Sequence, residues 1–317
     1  MLSHKILTRQ DVGDVASYYG DGADDYYAKE GEAQTWQGRG AEMLGLTGSV
    51  DSLRFRELLA GKIDPGGAPV RTSTRDDSKS RIGVDLTFSA PKSVSIQALV
   101  GRDAALIAAH ETAVERVLGH VEALAQARKK AAGVTRIERT GNLVIAKFRH
   151  ETTRAQDPEL HTHSIVMNLT RRADGEWRAL KNDEIIARTR YLGVLYRTEL
   201  ARILEQQGYA LRYGKDGTFE LAAMSRRQIE AFSRRSEEIE RRLAEMGLTR
   251  DTATAAQKQL ATMQTRGEKP RLVDRARMFG EWEHRAAELG IRFERTSDRP
   301  TQTYDRTEAV AEALTGL

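Results

Sequence analysis

Apolar and polar residues alternate along Val84-Asp85-Leu86-Thr87-Phe88-Ser89, the two-residue period of a half-buried strand with Asp85 and Thr87 on its polar face. Pro91 then suits the first turn of a helix running to about Val100, with Gly101 as its stop. From Asp103 to Ala131, Ala, Leu and Val recur at helical spacing and predict one long amphipathic helix. Three strands are predicted after it, over Thr135–Thr140, Leu143–His150 and His161–Leu169. A turn at Asp174-Gly175 leads into a fourth, Trp177–Leu180.

The flanking regions carry weaker patterns. Residues 1–60 mix short apolar stretches with glycines and read as loops and short helices. Residues 63–80 read as a polar connection. From about 182 the pattern is mainly helical. Ser225 and Gln228 form a capping-box pair that opens a helix with Ile229, Phe232, Ile239, Leu243 and Met246 on one face. Strands with interspersed helices, then a helical region, give an α+β sheet domain with a helical extension. Residues 298–317 read as a weakly held tail or the start of a further domain.

Composition narrows the class. Of 317 residues, 39% are hydrophobic and 30% charged, enough for a core and too polar for a membrane protein. The start, MLSHKILTRQD, lacks the apolar core of a signal peptide, which favours a cytoplasmic setting. The absence of cysteine excludes disulfides and thiolate ligands and leaves His, Asp and Glu as the strong ligand set. The formal net charge is only +4. Its distribution says more: Arg128, Lys129, Lys130, Arg136, Arg139, Lys147 and Arg149 face a single acid, Glu138, over the same stretch. Such a stripe can follow a phosphate backbone, or be a solvated face.

His161 and His163, two apart in a predicted strand, leave the same side of the sheet. His150 ends the preceding strand, and the short polar link ETTRAQDPEL allows an antiparallel return that sets it beside the pair. Three neutral imidazoles converging in this way leave coordination positions open, as a catalytic metal site needs. Polar histidines near a strand end would have the same spacing. His4, His110, His120 and His284 stand alone and read as packing or surface residues.

Four of the nine tyrosines, Tyr18, Tyr19, Tyr26 and Tyr27, fall within ten residues around a GDGADD stretch. Polar, glycine-rich neighbours suit reachable phenols. A phenol can attack a phosphodiester and form a phosphotyrosine, but its pKa near 10 means that it needs help. A cation could polarise the phosphate, and a carboxylate, with Asp85 the best placed, could take the phenolic proton or orient a histidine.

Together, MLSHKILTRQDVGDVASYY, DGADDYYAKEGEAQTWQG, RIGVDLTFSAPKSVS, TGNLVIAKFRHETTRAQDPELHTH and WRALKNDEI resemble the conjugative relaxases of the TrwC/TraI (MobF) type, within the histidine-hydrophobic-histidine (HUH) endonuclease superfamily. The residue between the paired histidines is Thr162, a polar departure from that label. The resemblance covers residues 1 to about 297 and implies an antiparallel sheet palm over about 1–180, with helical fingers over about 182–297. It implies a site- and strand-specific nickase that leaves a 5′-phosphotyrosine and a free 3′-hydroxyl at a plasmid origin of transfer, and later rejoins the strand.

By the same resemblance, Tyr18 makes the first cut, Tyr26 the second transfer, and Tyr19 and Tyr27 are possible stand-ins. His150, His161 and His163 hold one divalent ion, and Asp85 assists the histidines or the nucleophile. Mg²⁺ or Mn²⁺ suits a phosphate substrate, whereas three imidazoles favour Zn²⁺ or another transition ion. The implied partners are an inverted-repeat DNA hairpin with its adjacent single strand, a helicase domain in the full-length protein, and accessory and coupling proteins. Arg71, Arg75, Lys79, Arg154 and Lys181 are candidate DNA contacts. The signature G-x-x-x-x-G-K-[ST] is absent, so the sequence carries no motor of its own. Alternatives are a rolling-circle replication initiator with the same chemistry, a hydrolase that activates water, and a non-catalytic hairpin-binding module.

Overall fold

The computed structural model describes residues 1–11, 34–67, 70, 79–153, 155–214, 217–249, 251–265 and 274–294. At its centre is a five-stranded, wholly antiparallel sheet. It contains β1 (Leu2–Thr8), β2 (Gln34–Gln37), β3 (Arg81–Ser89), β6 (Ile145–Thr152) and β7 (Pro158–Met167), in the order β1-β3-β7-β6-β2. Between β2 and β3 lie helices α1 (Arg39–Met43) and α2 (Ser52–Leu59).

Each face of the sheet meets a different core. Val84, Leu86, Phe88, Leu160 and Val166 pack against α3 (Lys92–Leu99), α4 (Ala104–Ala123) and, further along the chain, α6 (Thr189–Gln206). Helix α4 presents Leu106, Ala109, Ala113, Val114, Val117, Leu118 and Val121, an i, i+3, i+4 stripe that accounts for its docking. On the opposite face, Ala146, Phe148, Ile165 and Met167 meet Phe55, Leu58 and Leu59 of α2 in a smaller core. This second core covers one end of that face, and the histidines occupy the other.

The predicted helix over 103–131 stops at Ala123. Residues Gln126–Ala131 form β4, paired in register with β5 (Val134–Arg139). Ala132 and Gly133 both have positive φ, at 48° and 80°, as a tight hairpin turn requires. Pairing on both sides of β4 overrides the helix propensity of the Ala-rich stretch. Helix α3 ends at Leu99 with Val100 as its cap, immediately before Gly101 as expected, but the left-handed backbone falls on Arg102, with φ 53°. A Cβ on Gly101 would lie 2.6 Å from the Phe293 ring, so close approach requires glycine there.

The predicted strand over 177–180 is divided. β9 (Trp177–Arg178) pairs with β8 (Thr170–Arg171), and β10 (Leu180–Lys181) joins β4. Among the described residues, the regular structure after α5 (Asp183–Ala187) is helical except for a hairpin, β11 (Leu211–Tyr213) with β12 (Phe219–Leu221). The helix expected from Ser225 is two, α7 (Arg226–Glu230) and α8 (Arg234–Glu245), broken at the fully buried Phe232. Its capping box is present: the Ser225 hydroxyl accepts from the Gln228 amide, and the Gln228 side chain accepts from the Ser225 amide. Helices α9 (Ala255–Gln264) and α10 (Arg275–Glu288) follow. Tyr196, Phe232 and Trp282 share one core with Val84 and Phe88, so the first core runs continuously across position 182.

Candidate metal centre and nucleic-acid interface

The hairpin of β6 and β7 places His150 directly opposite His161 across the strands. His163 lies two residues on, opposite Phe148 on one side and Thr87 on the other. The three imidazoles form a triangle with ring centres 5.4 Å apart for His150–His161 and 5.2 Å apart for the other two pairs. Three imidazoles on one tetrahedral ion, with nitrogens about 2.0–2.1 Å from it, have ring centres about 5 Å apart. The triangle is therefore the right size for a shared ion. Among the described residues no group of three or more His, Asp or Glu donors is gathered closely enough to hold an ion as it stands; the fit rests on ring spacing and on the hydrogen bonds behind the rings.

Those bonds select the nitrogen that faces forward. His163 Nδ1 lies 2.8 Å from Asp85 Oδ2, and His161 Nδ1 lies 2.9 Å from the Glu159 carbonyl oxygen. In both rings Nδ1 donates backwards and Nε2 is presented as the acceptor, the usual arrangement behind a metal-binding histidine. Burial holds the His161 pKa below its ordinary value against the opposing pull of Glu159. The ring is thus kept neutral, as a ligand must be. His150 is 3% exposed.

Asp85 projects from the polar side of β3, as its alternation predicts, yet it is buried rather than solvated. Thr87 Oγ1 lies 3.1 Å from His163 Nδ1 and donates to Asp85 Oδ1 at 3.3 Å. The carboxylate is thus bonded to a hydroxyl and an imidazole, an arrangement that can orient the histidine. Sequence reasoning placed Thr87 on that face without giving it a role, and it could not foresee the Glu159 carbonyl, which only the strand geometry supplies.

The link between the histidine strands is gripped from the helical side. The fully buried Asp157 accepts from Arg234 Nε at 2.8 Å, with Arg285 at 3.6 Å. Trp282 Nε1 donates to the Gln156 carbonyl at 2.8 Å, and Arg234 also donates to the Ala155 carbonyl at 2.7 Å. Asp157-Pro158 had signalled only a turn.

The basic stripe divides in two. Arg128, Lys129, Lys130, Arg136 and Arg139 are exposed on the β4–β5 ribbon, beside the exposed Val134 and Ile137. Lys130 and Arg136 have no carboxylate partner among the described residues. Lys147 and Arg149 instead sit in the central sheet, paired with Glu115 at 2.7 Å and Glu111 at 2.5 Å on α4. Lys181 lies at the base of the ribbon, opposite Gln126, and pairs with Asp183 at 2.9 Å. Lys79 is exposed just before β3. Tyr18, Tyr19, Tyr26, Tyr27, Arg71, Arg75 and Arg154 lie outside the described residues. The tyrosines belong to the stretch between β1 and β2, the two outer strands of the sheet.

Residues 12–289 match the family model described as TrwC relaxase. A multifunctional conjugation protein TraI of Escherichia coli is 38% identical over 320 residues, spanning 98% of this chain and 17% of that protein. Another, from Escherichia coli strain K12, is 36% identical over 338 residues, spanning 98% and 18%. The chain thus spans under a fifth of the curated relatives it matches. Among solved structures, a metal-bound conjugative relaxase TrwC in complex with oriT DNA aligns with TM-score 0.86 and 59% identity, covering 93% of this chain and 100% of that one. A copper-bound TrwC–oriT complex gives 0.87 and 60% over the same shares. TrwC complexed with a 27-mer DNA comprising the recognition hairpin and the cleavage site gives 0.86 and 56%, again over those shares.

Proposed function

The chain belongs to the TrwC relaxase family, and from that premise we propose that it nicks and rejoins one strand of a transfer-origin DNA by transesterification at the His150–His161–His163 centre. The observation that carries the reading is the imidazole triangle, backed by Asp85 on one ring and a carbonyl on another. The oriT DNA and the metal bound by the similar TrwC structures support the substrate and the cofactor class. Three nitrogen donors favour a transition ion over Mg²⁺, and the copper-bound relative is in keeping with that. When bound, such an ion supplies positive charge against the scissile phosphate.

The chain's own residues do the rest. Asp85 and the Glu159 carbonyl fix the tautomers and the aim of the two paired imidazoles. Tyr18 is the proposed nucleophile for the first cut and Tyr26 for the later transfer. The phenolic oxygen gives up its proton and bonds to phosphorus as the bond to the 3′-oxygen breaks, and the departing 3′-oxygen takes up a proton, so that none is gained or lost overall. The phosphodiester is exchanged rather than hydrolysed, so rejoining needs no nucleotide cofactor. The β4–β5 ribbon is proposed as a backbone-tracking surface for duplex DNA, with Lys181 at its base, and Lys79, exposed just before β3, as a further contact. A helicase and the accessory and coupling proteins are proposed partners of a longer protein.

The test is incubation with an origin oligonucleotide that carries the recognition hairpin and cleavage site. A covalent protein–DNA adduct is expected, lost on chelation and lost in Tyr18→Phe/Tyr26→Phe. Strand cleavage by water without an adduct would replace this reading with the hydrolase.

A further inference from the structure

Behind the proposed metal centre, on the other face of the sheet, lies a buried polar chain. Thr162 stands between His161 and His163 on β7, so its side chain points away from both and into the large core. There its Oγ1 lies 2.8 Å from His110 Nε2 on α4, and His110 Nδ1 lies 2.6 Å from the Tyr196 hydroxyl on α6. Thr162 is 4% exposed, and His110 and Tyr196 are fully buried. The Tyr196 ring also packs edge-on against Phe88, the register partner of Thr162 on β3.

Packing alone does not call for this chain. An apolar β-branched residue at position 162 would fill the same space between its cross-strand neighbours Phe88 and Arg149, and removing polar groups from water returns little net stability even when they are paired. What a bonded polar chain adds is direction: each bond fixes a rotamer and a distance that apolar contact leaves loose. Both ring nitrogens of His110 are engaged, one by each helix-to-strand or helix-to-helix bond, so the imidazole acts as a rigid spacer between two helices and the strand.

We propose that Thr162, His110 and Tyr196 are positioning residues that hold β7 at a fixed height over α4, and thereby set the spacing and aim of the His161 and His163 imidazoles. The proposal rests on the metal-centre reading above and deepens it. The two histidines flank the tethered residue on a single strand. Movement of β7 normal to the sheet carries both rings together, and Asp85 and the Glu159 carbonyl then act on rings whose height is already set.

The test is Co²⁺ titration of the DNA-free protein, read by its visible absorption, with thermal unfolding in chelator run alongside. Thr162→Val keeps the shape and removes the hydroxyl; its Co²⁺ affinity is expected to fall about tenfold or more, as when a ligand's supporting bond is lost. Thr162→Ser restores the hydroxyl and is expected to stay within about twofold of the parent. Tyr196→Phe frees His110 Nδ1 and is expected to weaken Co²⁺ binding in the same direction, by less; it carries the test if Thr162→Val does not fold. Parent-like Co²⁺ affinity in a destabilised Thr162→Val, or in a folded Tyr196→Phe where Thr162→Val does not fold, would show that the chain supports the fold only and overturn the proposal. Equal weakness of Ser and Val would do the same, by assigning the effect to shape. Failure of the parent itself to take up Co²⁺ would instead remove the metal-centre reading, and the proposal with it.

Discussion

Arg234, the first residue of α8, donates through Nε to the carboxylate of Asp157 at 2.8 Å, and so ties the helical extension to the link between the two histidine strands. Asp157 is fully buried while Arg234 is 43% exposed, so the partners stand to lose unequally. Asp157→Ala leaves Arg234 and Arg285 facing an apolar gap and is expected to cost about 2–3 kcal/mol in chemical denaturation. Arg234→Ala leaves Arg285 to cover the carboxylate in part and is expected to cost about 1 kcal/mol. Equal small losses in the two variants would mean that the link does not depend on the clamp.

Asp85 acts behind His163, at 2.8 Å. Asp85→Asn keeps the shape but gives up the charge-assisted bond. A loss of about ten- to a hundredfold in divalent-ion affinity is expected, measured by calorimetric titration without DNA. Ion affinity unchanged beside a slowed cleavage step would instead place Asp85 on the nucleophile's proton.

Burial lowers the His110 pKa to about 3. The unfolded chain takes up a proton on this side chain below about pH 6.5, while the folded chain stays neutral down to about pH 3. The folded state therefore binds fewer protons between these limits, and stability falls as the pH falls through that window. His110→Gln is expected to remove up to about 1.4 kcal/mol per pH unit from the slope of unfolding free energy between about pH 6 and 4. Denaturation midpoints of parent and variant across that range check it; parallel curves would show that His110 does not titrate differently on folding.

Lys130 and Arg136 project from the ribbon and are expected to meet phosphates. Replacing both with alanine is expected to weaken binding of the hairpin DNA, and to lower the slope of log affinity against log salt by about 1 per lost contact. A variant with unaltered salt dependence would move the duplex-binding face elsewhere.

How much of this was legible in the sequence depended on how local the signal was. The alternation over 84–89 and the spacing of His150, His161 and His163 depend on neighbours within one or two strands, and the register joins them as the pattern implies. Strand β1 escaped notice because at the edge of the sheet only Leu7 is buried, which leaves no alternation to read. The stretch 126–131 resembled helix because alanines and basic residues suit a helix as well as an exposed ribbon; the choice is made by partners at 134–139 and 180–181. Lys147 and Arg149 looked like part of one basic surface, and only the position of α4 shows them paired with Glu115 and Glu111. His110 gave no sign beyond an apolar neighbourhood, since its partners lie 52 and 86 residues away.

The three imidazoles come from one hairpin, whereas the carboxylate that aims His163 stands 78 residues earlier in the chain. Closing a short loop gathers the donors at small entropic cost, and docking β3 against β7 is the slower, long-range event. During folding the ligands are therefore expected to meet before His163 is aimed. An ion captured at that stage would meet a His163 ring still free to turn, and only completion of the sheet would convert a chelating hairpin into a centre with a fixed open side for a phosphate.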